Sequence, residues 1–143
     1  MVKTISSLQN PFIKQLVQLK EKSKLRKQTG LFIIEGKREL SLAIKGNYTL
    51  ETLYFYADLF SAAEAAALEI YGINIIEISK AVYEKVAHRE TTEGVIVVAK
   101  SNDLSLDNLK LITNNPLILV AECPEKPGNI GALLRTADAA NID

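Results

Sequence analysis

The sequence has 143 residues, of which 48% are hydrophobic and 24% are charged, a composition typical of a globular protein with a core of its own. No apolar run approaches the roughly 20 residues that a membrane-spanning helix needs, and the N-terminus lacks the hydrophobic region of a signal peptide, so we expect a cytoplasmic protein with no membrane partner. A single cysteine and a single histidine exclude an internal disulfide and the usual zinc sites, and we therefore expect no metal.

The net charge of zero conceals a strong asymmetry along the chain. Residues 1–46 carry ten Lys or Arg and three Glu, a net charge of +7, whereas residues 47–143 carry seven Lys or Arg and fourteen Asp or Glu, a net charge of −7. An excess of cations attracts a polyanion such as RNA, but a solvated surface without a partner has the same composition. Charge alone leaves both interpretations open.

A dense group of cations spans the end of the first predicted helix and the residues after it. Proline suits the first position of a helix, and apolar residues then recur at helical spacing, which predicts a helix from Pro11 to about Lys22 after a polar lead-in at residues 4–10. The five cations of this stretch are Lys20, Lys22, Lys24, Arg26 and Lys27. We predict a flexible loop here whose cations contact RNA phosphates, the alternative being a loop that only confers solubility.

Strands and helices alternate over residues 31–100. Strands are predicted at residues 31–34, 49–56, 74–78 and 94–99, with helices between them at residues 37–45, 62–71 and 80–87. This alternation predicts the α/β class, as a small three-layer α/β/α domain, and the polar residues 101–115 are predicted to be a linker. Lys37 and Arg38 would lie at a helix N-terminus, where the dipole disfavours cations, and this makes them further candidates for RNA binding.

The end of the chain combines a predicted strand with a predicted helix. Residues 117–121 are apolar and predict a buried strand, and residues 122–128 predict a loop rich in Pro and Gly. Asn129 is a favourable N-cap for a helix that carries an apolar stripe of Ile130, Leu133, Leu134 and Ala137. Arg135 lies on the opposite side among small residues, a position that suits an anionic ligand.

Residues 127–140 closely resemble the first motif of the SpoU/TrmH RNA 2′-O-ribose methyltransferases, which belong to the knotted SPOUT class and use S-adenosylmethionine. The specific core of the motif is Asn-x-Gly-x-x-x-Arg-Thr, here Asn129 to Thr136. Residues 31–38 (Leu-Phe-Ile-Ile-Glu-Gly-x-Arg) resemble the substrate-binding domain that precedes the catalytic domain in many members. The Glu90-Thr-x-x-Gly94 pattern matches a turn of that domain in part.

The resemblance implies a fold like that of small kink-turn RNA-binding ribosomal proteins for the first domain. It further implies that residues 1–100 bind the RNA substrate and that residues 116–143 are the first strand and helix of a SPOUT methyltransferase domain. The implied activity of the complete protein is methylation of ribose in rRNA or tRNA, by a homodimer. In the family, the arginine matching Arg135 is tied to activation of the ribose hydroxyl, and Asn129 would fix the loop and orient the substrate.

The chain ends at Asp143, before the later family motifs that form the cofactor pocket. We therefore expect S-adenosylmethionine to bind outside these residues and the 143-residue chain to be inactive alone. The alternatives are a structured-RNA-binding module without chemistry and a protein-interaction domain. The motif from Asn129 to Arg135 favours the enzyme, since a simple RNA-binding module has no reason to carry it.

Overall fold

The computed structural model describes residues 2–87, 93–111 and 113–142. The chain divides between Asn102 and Asp103 into two units, and each unit is described by itself. This division lies within residues 101–115, the predicted linker, but the assignment of residues 116–143 to a catalytic domain stays a prediction.

The first unit is built on a five-stranded sheet with the strand order β1-β4-β3-β5-β2. Its strands are β1 (Lys3–Ile5), β2 (Leu31–Glu35), β3 (Leu50–Phe55), β4 (Asn74–Ile78) and β5 (Val95–Lys100). Strands β1 and β3 run parallel to β4, whereas β5 runs antiparallel to both β3 and β2. The strand β1 corrects the predicted lead-in at residues 4–10. It is too short for a periodic pattern, and it forms because Lys3, Thr4 and Ile5 pair with distant residues of β4.

Six α-helices complete the described part of the chain. They are α1 (Pro11–Glu21), α2 (Ser23–Thr29), α3 (Lys37–Lys45), α4 (Ala62–Ala66), α5 (Lys80–Val86) and α6 (Pro127–Ala139). Side chains cap three of them, as Asn10, Ser61 and Ser79 accept hydrogen bonds from backbone N–H groups of α1, α4 and α5. Helix α4 is shorter than predicted and is followed by a 3₁₀ turn, Glu69–Tyr71.

The core confirms the predicted three layers. Alternate residues of β5 serve opposite faces of the sheet, since Ile96 and Val98 pack with α1 and α5, whereas Val95 and Val97 pack with α3 and α4. Both faces of the sheet are thus covered by helices.

The prediction of a flexible loop after α1 is wrong, because residues 23–29 form the helix α2. Two side-chain contacts made outside α2 itself explain the difference. Leu25 packs against the core shared by α1 and α5, and the Arg26 side chain bonds to the end of α1. Gly30 then ends the helix in the left-handed conformation, with φ of 64°.

In the second unit the predicted helix is present but the predicted strand is not. Residues 117–121 form no strand in the described part of the chain, and their side chains are exposed. A strand is defined by hydrogen bonds to a neighbouring strand, and an apolar pattern alone does not provide one. Helix α6 begins at Pro127, so Asn129 is its third residue and not its N-cap. Of the apolar stripe, Leu133 and Ala137 are half-buried, and Ile130 and Leu134 are exposed.

Candidate nucleic-acid interface

Two of the five cations between Lys20 and Lys27 make hydrogen bonds within the protein. Arg26 donates from Nη1 to the carbonyl oxygens of Leu19 (2.7 Å) and Lys20 (2.9 Å), and so satisfies acceptors at the C-terminal end of α1. Lys20 donates from Nζ to the carbonyl oxygen of Val86 at 2.9 Å and joins α1 to the end of α5. Both side chains therefore hold helices in place, whatever else they bind.

The other three cations of this segment are presented to solvent. Lys22 lies at the junction of α1 and α2, and Lys24 and Lys27 are three residues apart, which places them on one side of α2. All three side chains are exposed. Within the residues that the structure describes, none of them forms an ion pair. The helix thus displays uncompensated positive charge of the kind that binds phosphate.

The second candidate site is the turn between β2 and α3. Gly36 has φ of 102°, which a residue with a side chain rarely adopts, and its N–H donates to the carbonyl oxygen of Val95 at 3.1 Å. The N–H of Lys37 donates to a carboxylate oxygen of Glu93 at 2.6 Å. The helix dipole favours a negative group at the N-terminus of α3. Such a group is present, but it is the Glu93 carboxylate of the chain itself and not a bound anion.

Lys37 is already paired in this turn. Its Nζ lies 2.6 Å from Oε1 of Glu64 and 5.1 Å from the centre of the Phe60 ring. The hydrogen bond from Lys37, together with the backbone and hydroxyl donors of Ser61, lowers the pKa of Glu64 to about 2. Arg38 is exposed and forms no ion pair among the described residues.

The structure does not bring the two basic sites together. The lysines of α2 precede β2 and the turn at Gly36 follows it, so the sites lie at opposite ends of this strand. Five residues of a strand span roughly 16 Å. An RNA that contacted both sites would have to cover at least that length.

Aromatic residues near the sheet are largely engaged in packing. Tyr54 is 3% exposed, and burial raises its pKa to about 12. Tyr56 stacks on Tyr83, with ring centres 5.7 Å apart, and donates its hydroxyl to Asp58; that hydrogen bond is the main reason that the pKa of Tyr56 is raised. Burial in the sheet therefore accounts for Tyr54, and Tyr56 is only half accessible for base stacking.

The candidate catalytic residues lie on α6. Asn129 and Arg135 are both exposed, and six residues of a helix separate them by about 9 Å along the axis and about 120° around it. A Cβ atom added at Gly128 or Gly131 would meet no other atom within 4 Å, so these glycines line no cradle in the described residues. The residues present around α6 therefore do not by themselves fit a cofactor such as S-adenosylmethionine.

Sequence reasoning missed two residues of the turn at Gly36. Glu64 belongs to a Ser-x-x-Glu capping box, a local pattern that was available to find. Glu93 gave no such signal, because it lies 56 residues from Lys37, whose N–H donates a hydrogen bond to it. Most of the turn that matches the family in part, together with His88, lies outside the described residues.

The described residues form neither a cluster of metal ligands nor a membrane-spanning helix. In these parts of the chain no three His, Cys, Asp or Glu side chains cluster as metal ligands would. No described helix combines the length and apolar character needed to cross a membrane.

Comparison with known proteins defines the class. Residues 10–97 match the family described as the MRM3-like substrate binding domain. The 23S rRNA (guanosine(2553)-2′-O)-methyltransferase RlmP of Bacillus subtilis is 27% identical over 99% of this chain and 53% of its own length. The crystal structure of an RNA 2′-O ribose methyltransferase has a TM-score of 0.72 and 35% identity over 97% of this chain and 53% of that one. An AdoMet-bound rRNA methyltransferase from Sinorhizobium meliloti has a TM-score of 0.64 and 27% identity, over 97% and 51%.

The chain therefore belongs to the SpoU/TrmH family of RNA 2′-O-ribose methyltransferases and carries its MRM3-like substrate-binding domain. The predicted family is confirmed. The chain spans about half the length of the relatives that it matches.

Proposed function

We propose that the protein methylates the 2′-hydroxyl of ribose in rRNA or tRNA, with this chain supplying the RNA-binding surface and an arginine that acts on the substrate. The observation that carries the proposal is that rRNA 2′-O-methyltransferases match nearly the whole chain, including α6, and not only its first unit. A module that only binds RNA would not require the Asn-x-Gly-x-x-x-Arg-Thr motif of α6.

The first unit binds structured RNA through its exposed cations. Lys22, Lys24 and Lys27 contact phosphates, since they are exposed and have no carboxylate partner among the described residues. Lys20 and Arg26 support this surface by holding α1 and α2 in position. These two side chains contact RNA only with the donors left free by those bonds.

The turn at Gly36 forms the second part of the RNA surface. Arg38 is exposed there and its planar guanidinium suits a bidentate contact to phosphate. Lys37 keeps its ion pair with Glu64 and adds a weaker, already compensated charge. Together with α2, this turn sets the minimum length of RNA that the unit covers.

Arg135 acts on the acceptor side of the reaction. A guanidinium does not give up its proton near neutral pH, so Arg135 is not a general base. It instead holds a phosphate next to the reacting ribose and stabilises the alkoxide as negative charge develops on the 2′-oxygen. Asn129, on the same helix, orients the substrate with its side-chain amide.

The proposed methyl donor rests on a relative, and the proposed homodimer rests on the family resemblance of residues 127–140. A relative from Sinorhizobium meliloti is described as AdoMet-bound, which supports S-adenosylmethionine as the methyl donor. Because the residues around α6 form no cradle for it, we place the cofactor outside this chain and derive no step through it. We further propose that the complete protein is a cytoplasmic homodimer.

The substitution Arg135→Ala in the complete protein tests the proposal. Methyl transfer to unmodified rRNA and tRNA transcripts should fall on the order of 100-fold, the usual effect of losing one preorganised charge at a reacting centre. Affinity for S-adenosylmethionine should stay unchanged. The matched control is Lys126→Ala, which removes an exposed cation just before the same helix and should keep turnover nearly normal. Near-normal turnover of Arg135→Ala would remove Arg135 from the mechanism.

A further inference from the structure

A groove of about 330 Å³ lies beside the first half of α1, on the side where this helix meets α5. Its apolar lining is formed by Leu8, Ile13 and Val17. Ile13 is 1% exposed and forms the bottom, whereas Leu8 is 44% exposed and forms a wall. The rim is polar and positive, and is formed by Lys14, Gln18 and Lys85. An apolar floor below a cationic rim calls for a ligand that is itself apolar in the middle and negative at its ends.

The walls of the groove are held by contacts already described. Lys20, one turn beyond Val17 on α1, donates to the carbonyl oxygen of Val86, the residue after Lys85. Ile13 packs in the same core as Val82 and Val86 of α5. The groove is therefore formed before any ligand binds, so the protein itself loses little conformational entropy on binding.

The rim of the groove continues into the proposed RNA surface. Lys14 and Gln18 are four residues apart on α1, about 6 Å along its axis, and Lys22 follows at the end of the helix, so the three form a line toward α2. Lys22 begins the group of exposed lysines on α2. A nucleic-acid strand bound to α2 can thus follow this line to the groove, passing Glu21, the one carboxylate that α1 carries.

We propose that the groove receives one unpaired nucleotide of the RNA, with its base on the apolar floor and its flanking phosphates beside Lys14 and Lys85. The proposal rests on the proposed RNA-binding function. A nucleobase has apolar faces and polar edges, and the amide of Gln18 can both donate to and accept from such an edge. An acidic protein segment would meet the same two lysines, but the line of polar and cationic side chains that leads to α2 favours RNA.

Two RNA hairpins of equal length test the inference, one fully paired and one with a single unpaired uridine. Binding of the 143-residue chain to each is measured by fluorescence anisotropy. The unpaired nucleotide should raise affinity on the order of tenfold, and Leu8→Glu should abolish that preference while binding to the paired hairpin persists. Leu8 is exposed, so the variant should fold, which thermal unfolding verifies. Ile70→Glu is the matched control, at an 80% exposed residue after α4, on the other side of the sheet.

The outcomes separate this inference from the proposed function. Loss of the preference in Leu8→Glu, with the preference kept in Ile70→Glu, supports the groove. An equal preference in both variants overturns it and leaves RNA binding by α2 intact, and this is also the result expected if the groove takes an acidic protein segment. If the wild-type chain binds neither hairpin, the proposed RNA-binding function fails and the inference fails with it.

Discussion

The carboxylate of Glu93 accepts a hydrogen bond from the backbone N–H of Lys37 at 2.6 Å, across 56 residues of sequence. This bond supplies the cap that α3 lacks locally, since its N-cap residue, Gly36, has no side chain. It also fixes the chain before β5 against the turn between β2 and α3. The orientation of Lys37 and Arg38 therefore depends on a residue far from them in sequence.

Glu93→Ala should destabilise the protein by about 1 kcal/mol, the usual cost of losing a helix cap. Urea denaturation measures the change as a lower midpoint with an unchanged slope. Glu69→Ala is the control, because the Glu69 side chain is exposed and caps no helix. Equal midpoints for the two variants would contradict the capping role of Glu93.

Gly94→Ala should be far more harmful than Gly72→Ala, although both glycines have positive φ, 74° and 67°. A Cβ at Gly94 would lie 2.6 Å from Cβ of Leu59 and 2.8 Å from the backbone nitrogen of Phe60, whereas one at Gly72 would meet nothing within 4 Å. We expect a loss of about 1 kcal/mol for Gly72→Ala and of about 2 kcal/mol or more for Gly94→Ala. Similar stability of the two variants would show that the backbone around Leu59 moves freely.

The ion pair between Lys37 and Glu64 should make the stability of the fold depend on pH in the acidic range. The pKa of Glu64 is lowered to about 2 from 4.5, so the folded state binds this proton less readily than the unfolded state. The contribution is present above about pH 4.5 and is lost as the pH falls toward 2. Glu64→Gln should therefore have a lower Tm than the wild type at pH 7, and the two Tm values should converge near pH 2. A constant difference across this range would exclude the charge of Glu64 as the cause.

Local patterns in the sequence predicted most of the fold. Helices α1, α3 and α5 have apolar residues at helical spacing and recognisable ends, such as Asn10-Pro11, Gly46 and Ser79. The strands β2 to β5 are rich in β-branched and aromatic residues and buried on two faces, so each stands out as an apolar run.

The elements that were missed depend on contacts that no local sequence pattern encodes. Strand β1 exists because Thr4 and its neighbours pair with β4, and α2 is anchored by Leu25 and by Arg26. The same reason explains the candidate site: a list of basic residues does not reveal that Arg26 and Lys20 bond to backbone carbonyls, or that Glu64 neutralises Lys37. The apolar pattern at residues 117–121 predicted a strand that the structure does not form. Such a pattern specifies a strand only when a partner strand is present.

The central claim is that α2 binds RNA through Lys22, Lys24 and Lys27. The direct test is the slope of log K against log of the salt concentration for binding of the chain to a structured RNA. Replacing these three lysines with Gln should reduce the slope by about 2 to 3, because each phosphate contact releases about 0.7 to 0.9 counterions. The matched variant replaces Lys45, Lys80 and Lys110, which are also exposed, and should keep the wild-type slope. Equal slopes for all three proteins, or equal losses in the two variants, would contradict the claim.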